Sequence, residues 1–219
     1  MFIEKNVISM QEKLKDVVFE EIGELFNYAN EYYGEYLLDL IDDFTEKKHN
    51  DDDLSSMMIP HIISWAILCH RVRNGSKTIF QLYLESPEYK TRRRPKVHRI
   101  ISEWKFTMPG FYYVEEIAGE RVLVVTDVFQ MKEKLVGVYN EIYHQPREGD
   151  MIFGYLLPAG DGTYSPIIDF FHIPMTHKRE AAIKIIEFYN KKAVATDHEF
   201  FEKNYPKLLS LIFRLLQKK

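Results

Sequence analysis

The densest run of positive charge in the chain is Lys90, Arg92, Arg93, Arg94, Lys96 and Arg99, with His98 among them. Guanidinium and ammonium groups in one short stretch can neutralise phosphates, each contact adding salt-dependent affinity as condensed counterions leave. Tyr112 and Tyr113 follow in an aromatic stretch, where an exposed ring can stack a base, as in small-barrel single-strand binders. Arg92, Arg93, Arg94, Lys96 and Tyr112 are therefore the candidate binding residues, with nucleic acid as the ligand. The alternative is a solvated helix face, with Val97, Ile100 and Trp104 turned inward and Glu85 and Glu88 near enough to offset the charge.

Other chemistries are harder to assemble. His61 and His70 are nine residues apart, which at about 100° per residue places them on opposite sides of a helix. No HExxH pair occurs, and a metal site would have to be built from distant residues such as Asp169, His172 and His177. Cys69, the single cysteine, lies in the most apolar helical stretch, where a thiol is inert packing. There is no GxSxG elbow and no glycine-rich phosphate loop; Gly160-Asp161-Gly162 reads as a turn. Asp127, Asp150, Asp161 and Asp169 fall at strand ends, where acids cap turns unless two converge for acid/base work. Tyr28, Tyr32, Tyr33 and Tyr36 share one helix and suit either a protein interface or an aromatic-rich core.

Composition limits the partners. A chain of 219 residues, 46% hydrophobic and 28% charged with a net charge of -4, can bury a sizeable core and has no global bias toward nucleic acid or anionic membrane. One cysteine excludes an internal disulfide framework and a multi-cysteine zinc site, and a reducing cytoplasm is the expected compartment. No export signal is read at the N-terminus, and the apolar run near Ile62 to Cys69 is too short to span a bilayer. No cofactor is implied.

The elements that must position these residues are helices around a β-meander. Apolar residues recur three or four apart from Val7 to Phe44, with a capping box at Ser9-x-x-Glu12 and a break expected near Gly34. The polar stretch from Glu46 to Asp53 reads as a loop, and Leu54 to Val72 as a central helix that Pro60 starts or kinks and Asn74-Gly75 ends. Ser76 should cap a short helix from Lys77 to Glu85, and Val97, Ile100, Ile101 and Trp104 mark the next. Five strands follow: Gly110 to Ile117, Arg121 to Val128, Leu135 to Tyr143, Met151 to Leu157 and Tyr164 to Ile173. The second is apolar enough to be covered on both faces, and Pro166 places the start of the last at a sheet edge or a bulge. After the sheet come a helix from Lys178 to Asn190, one capped by Thr196 that stops before Pro206, and an apolar last helix complemented by Lys218 and Lys219.

Three passages carry a family likeness: Ile63 to Val72 with Asn74 to Leu84; Gly110 to Val114 with Val124 to Val128; and Gly149 to Pro158. In these the chain resembles the main body of uncharacterised bacterial proteins bearing a SEC-C motif, the small zinc-binding tail also found on the SecA translocation ATPase. That tail needs a cysteine cluster, and no cysteine follows Cys69, so its zinc chemistry is not implied here.

The fold expected is α+β: a five-stranded antiparallel sheet or small barrel (105–174) between helical layers (1–104 and 175–219) in one domain. The expected function is a non-enzymatic protein-interaction or adaptor module, with single-stranded nucleic-acid binding as the alternative and no membrane partner.

Overall fold

The computed structural model describes residues 2–45, 52–72, 75–192 and 196–217, with side chains from residue 16 onward except 52, 53 and 55. Helix α1 (Phe2–Thr45) runs without interruption, so Ser9 lies inside it and Gly34 does not break it. Leu25, Ala29, Leu37 and Phe44 are buried at helical spacing along one side. Packing of that stripe outweighs the roughly 1 kcal/mol that a glycine costs a helix interior.

Helix α2 (Asp52–Leu68) is the central helix expected, with Pro60 inside it and Ile62, Trp65, Ala66, Ile67 and Leu68 all buried. It ends earlier than expected; Asn74 and the polar stretch 46–51 lie outside the described residues. Helix α3 (Ile79–Glu85) starts from Thr78 rather than Ser76. Gln81 N donates to Thr78 Oγ1 at 3.2 Å, and Thr78 N donates to Gln81 Oε1 at 3.0 Å. Two helix-start donors are thereby satisfied reciprocally, which Ser76 has no spacing to do.

A 3-10 turn (Lys90–Arg93) leads into α4 (Pro95–Glu103), whose inward face buries Val97, Ile100 and Ile101. Trp104, in a second 3-10 turn (Trp104–Phe106), donates its Nε1 to the Pro158 carbonyl at 3.2 Å and fixes α4 against the sheet.

The strands are β1 (Pro109–Gly119), β2 (Val122–Asp127), β3 (Glu133–Gly137), β4 (Met151–Pro158), β5 (Tyr164–Pro166) and β6 (Phe171–Ile173). The order β1-β2-β3-β5-β4 closes on itself through β1–β4, making a five-strand barrel with β6 added on β4. The sheet is mixed, not purely antiparallel: β3 and β5 run parallel, joined at Val136 and Tyr164. The reason is parity, because strand directions cannot alternate all the way round an odd ring, so one seam must be parallel.

The strand expected from Tyr164 to Ile173 is split. Both pieces lie antiparallel to β4, but the register slips by two residues between Leu156↔Pro166 and Phe153↔Phe171. Ile167 to Phe170 therefore bulges from the ladder. β2 is buried only on alternate residues, contrary to expectation, and β4 is the strand covered on both faces. Period-two alternation divides β4 between two cores. Met151, Phe153, Tyr155 and Leu157 join the helical core, whereas Ile152 and Leu156 join Val114, Leu123, Val125 and Val136 inside the barrel.

Helix α5 (Lys178–Lys191) buries Ala181 and Ile185. Helix α6 (Asp197–Leu216) starts at Thr196 as expected but continues through Pro206. A proline deprives the carbonyl four residues earlier of its donor. Here that residue is Glu202, and the buried Tyr205, Leu208 and Leu209 on either side of the proline hold the helix continuous. Lys218 and Lys219 lie outside the described residues.

Candidate binding site

The structure divides the predicted basic cluster. Arg92 Nη2 donates to the Leu84 carbonyl and lies 3.5 Å from the Ser86 carbonyl, so it closes the end of α3 and is not a free cation. Arg93, Arg94 and Lys96 are exposed. The acids expected to offset them are engaged elsewhere: Glu85 with Lys77 at 2.6 Å, and Glu88 with the Tyr32 hydroxyl at 3.0 Å.

Tyr112 is not a stacking platform. Its ring is buried inside the barrel, over the backbone of Gly110, where an added Cβ would collide with the phenol. The alternation of β1 explains this: Tyr112 points in with Val114, and Tyr113 points out under the Lys178 ammonium, 5.3 Å from its ring centroid. Lys134 Nζ, 5.2 Å from the Tyr112 ring centroid, donates to Asp127 Oδ2 at 2.8 Å, while Asp127 Oδ1 accepts from the backbone N–H groups of Phe129 and Gln130 at 3.0 and 3.1 Å. Asp127 thus organises the β2–β3 turn, in which Met131 holds a left-handed φ of 52°.

Of the α1 tyrosines, Tyr28, Tyr33 and Tyr36 are half-buried and Tyr32 is 52% exposed. Tyr28 packs on Tyr83 at 5.2 Å, and the Tyr83 hydroxyl and that of Thr91 both donate to the buried Glu21 carboxylate. His61 packs edge-on against Phe153 at 4.8 Å, and burial alone pushes its pKa down to about 3. Burial likewise raises the Cys69 thiol well above its ordinary value. His177 Nδ1 lies 2.9 Å from Thr176 Oγ1. Among the described residues no group of three or more His, Cys, Asp or Glu is arranged to hold a metal.

What the fold does bring together is a groove at the bulge between β5 and β6. Its volume is about 730 Å³, with Met57 and Pro60 from α2 on one side, Asn140 to Ile142 and His144 on another, and Ile167 to His172 as the floor. Ile142 and Met57 are 72% and 59% exposed at its rim. His144 Nδ1 lies 2.5 Å from Asp169 Oδ2, and the His144 N–H also reaches that carboxylate, at 3.2 Å. The carboxylate fixes the imidazole and leaves Nε2 for a ligand. His172 is held below its usual range by burial, although Asp169 and Asp150 oppose this, and its Nε2 is buried without a partner among the described residues.

No protein-family model, curated protein or solved structure matches the chain. The passages on which a SEC-C likeness was expected fall on α2, α3, β1, β2 and β4, and none of their residues lines the groove.

Sequence reasoning named Asp169 and His172 but paired them with His177 instead of His144. No spacing rule links His144 to Asp169, since the contact depends on a bulge that the sequence shows only as a strand containing Pro166. Chemically, none of the lining residues carries a hydroxyl or thiol nucleophile, while the walls are mainly apolar and carry two carboxylates, those of Glu141 and Asp169. Such a lining suits recognition of an apolar segment that carries a cation.

Proposed function

We propose that this chain is a non-enzymatic protein-interaction module, and that the groove between Met57, Ile142 and the Ile167–Phe170 bulge is its binding face. The occupant is a segment of a partner protein with apolar side chains and a lysine or arginine. The apolar groups fill the floor, the cation meets Glu141 and Asp169, and His144 Nε2 supplies one directed hydrogen bond. The observation that carries this is the exposure of Ile142 and Met57 around a cavity of about 730 Å³, since large apolar side chains clustered at a concave rim are costly unless covered. The single cysteine suits a reducing cytoplasm. No helix among the described residues is long and apolar enough to cross a membrane.

A photo-crosslinking amino acid at position 142, with position 131 as an equally exposed control, tests the assignment directly. Crosslinks made in cells from 142 and not from 131 should map to an apolar partner segment containing Lys or Arg, and should diminish in an Asp169→Asn background. Equal crosslinking from both positions, or partner segments without that composition, would refute it.

A further inference from the structure

The other flank of the barrel carries a different surface. Lys96, Arg99 and Glu103 recur at i, i+3 and i+7 on α4 and so share its exposed face, beside the buried Ile100, which lines the same cleft. Arg99 and Glu103 form one wall of a cleft of about 370 Å³; the turn carrying Gly160, Gly162 and Thr163, with Tyr164, forms the other. A second cleft of about 210 Å³ shares Glu103, Pro158 and Tyr164 with the first and continues to Phe106, Gln130 and Lys134. Phe106 is 70% exposed, with Lys105 Nζ 4.8 Å from its ring centroid. Tyr164 is half-buried beneath Lys134, 5.5 Å away. The exposed cations Lys96, Arg99 and Lys105 thus flank the exposed Phe106 ring beside two joined clefts, in which Lys134 is paired with Asp127 and which share no lining residue with the apolar groove.

We infer that this path binds single-stranded nucleic acid, independently of the protein-binding face. Exposed cations flanking an exposed ring fit a polymer that carries both charged phosphates and flat bases. Lys96, Arg99 and Lys105 meet phosphates, Phe106 stacks a base, and Thr163 and Gln130 offer hydrogen bonds to base edges. Glu103 would repel a uniformly acidic peptide, yet it can accept from an exocyclic base amine. Duplex is excluded from the stacking contact, because its bases are already stacked on one another.

Fluorescence anisotropy of labelled single-stranded RNA and DNA 15-mers with the full chain, across a salt series, tests this. Single strands should bind more tightly than duplex of the same length. With three phosphate contacts, the log–log salt slope should be about -2. Arg99→Gln should flatten that slope by about one contact's worth, and Phe106→Ala should weaken binding about tenfold without changing it. Circular dichroism checks that both variants fold, and Lys96→Gln repeats the charge test should Arg99→Gln fail. Absence of binding at low salt, or binding that heparin matches and Phe106→Ala leaves unchanged, would overturn the inference.

Discussion

Two acid–base pairs clip loops to this barrel, and they differ in what the fold asks of them. Asp127 and Lys134 are 6% and 14% exposed, and the carboxylate also holds two backbone donors of the β2–β3 turn. His144 is 76% exposed and its partner Asp169 only 20%. A buried pair is costly to break, because removing one partner strands the other charge out of water. An exposed pair contributes little, since water competes for both groups. The fold therefore depends on the first pair, while the second orients an imidazole at the rim of a groove without being needed to hold the barrel together.

The sharpest way to break the contrast is at the buried pair. Asp127→Ala should destabilise the protein by about 3–5 kcal/mol in urea titration, because Lys134 and two turn N–H groups lose their partner. Asp127→Asn should cost less, since the amide oxygen can still accept from the turn. A loss for Asp127→Ala no larger than that for His144→Ala would erase the distinction.

His61 offers an intermediate case, an imidazole buried with neither a charge partner nor, for Nδ1, a hydrogen bond among the described residues. Its folded pKa, about 3, lies below its unfolded value of 6.5, so the unfolded chain takes up the proton first as pH falls. The contribution is fully present above pH 6.5 and is lost on acidification toward pH 3, with a limiting slope of about 1.4 kcal/mol per pH unit. His61→Leu should remove that component, which subtracting the two stability–pH curves would reveal; parallel curves would contradict it.

His144→Ala should lower stability by less than about 1 kcal/mol while weakening binding of the partner segment, read by thermal melting and by competition with the crosslinked peptide. Ile142→Ser, at the exposed rim, should change stability by no more than about 0.5 kcal/mol and still reduce partner binding. A large stability loss in either variant would make the groove structural.

The elements were legible where pattern and packing agree. The stripe through Val97, Ile100, Ile101 and Trp104 gave α4, and the turn signals around Gly149 and Gly160 bracketed β4. Expectations failed where a distant contact overrides a local rule. Gly34 and Pro206 signal breaks, but α1 buries Leu25, Ala29, Leu37 and Phe44 along one side, and α6 buries Tyr205, Leu208 and Leu209 on either side of its proline. Tyr112 and Tyr113 are indistinguishable by type, and only strand phase sends one inside. Arg92 belongs to the basic run in sequence, yet in space it belongs to the end of α3. The groove was the least legible feature, because a two-residue slip against β4 leaves no compositional mark.

The parallel seam has a kinetic consequence. Every other junction of the ring is an antiparallel ladder of three to six paired positions, but β3 and β5 meet only at Val136 and Tyr164. Loosening that pair unrolls the ring into an open sheet while the other ladders stay intact, a sub-global opening far cheaper than unfolding. Amide exchange should therefore run fastest along this line, and Tyr112 and Val114, sealed in the resting barrel, would meet solvent through it long before the helical core does.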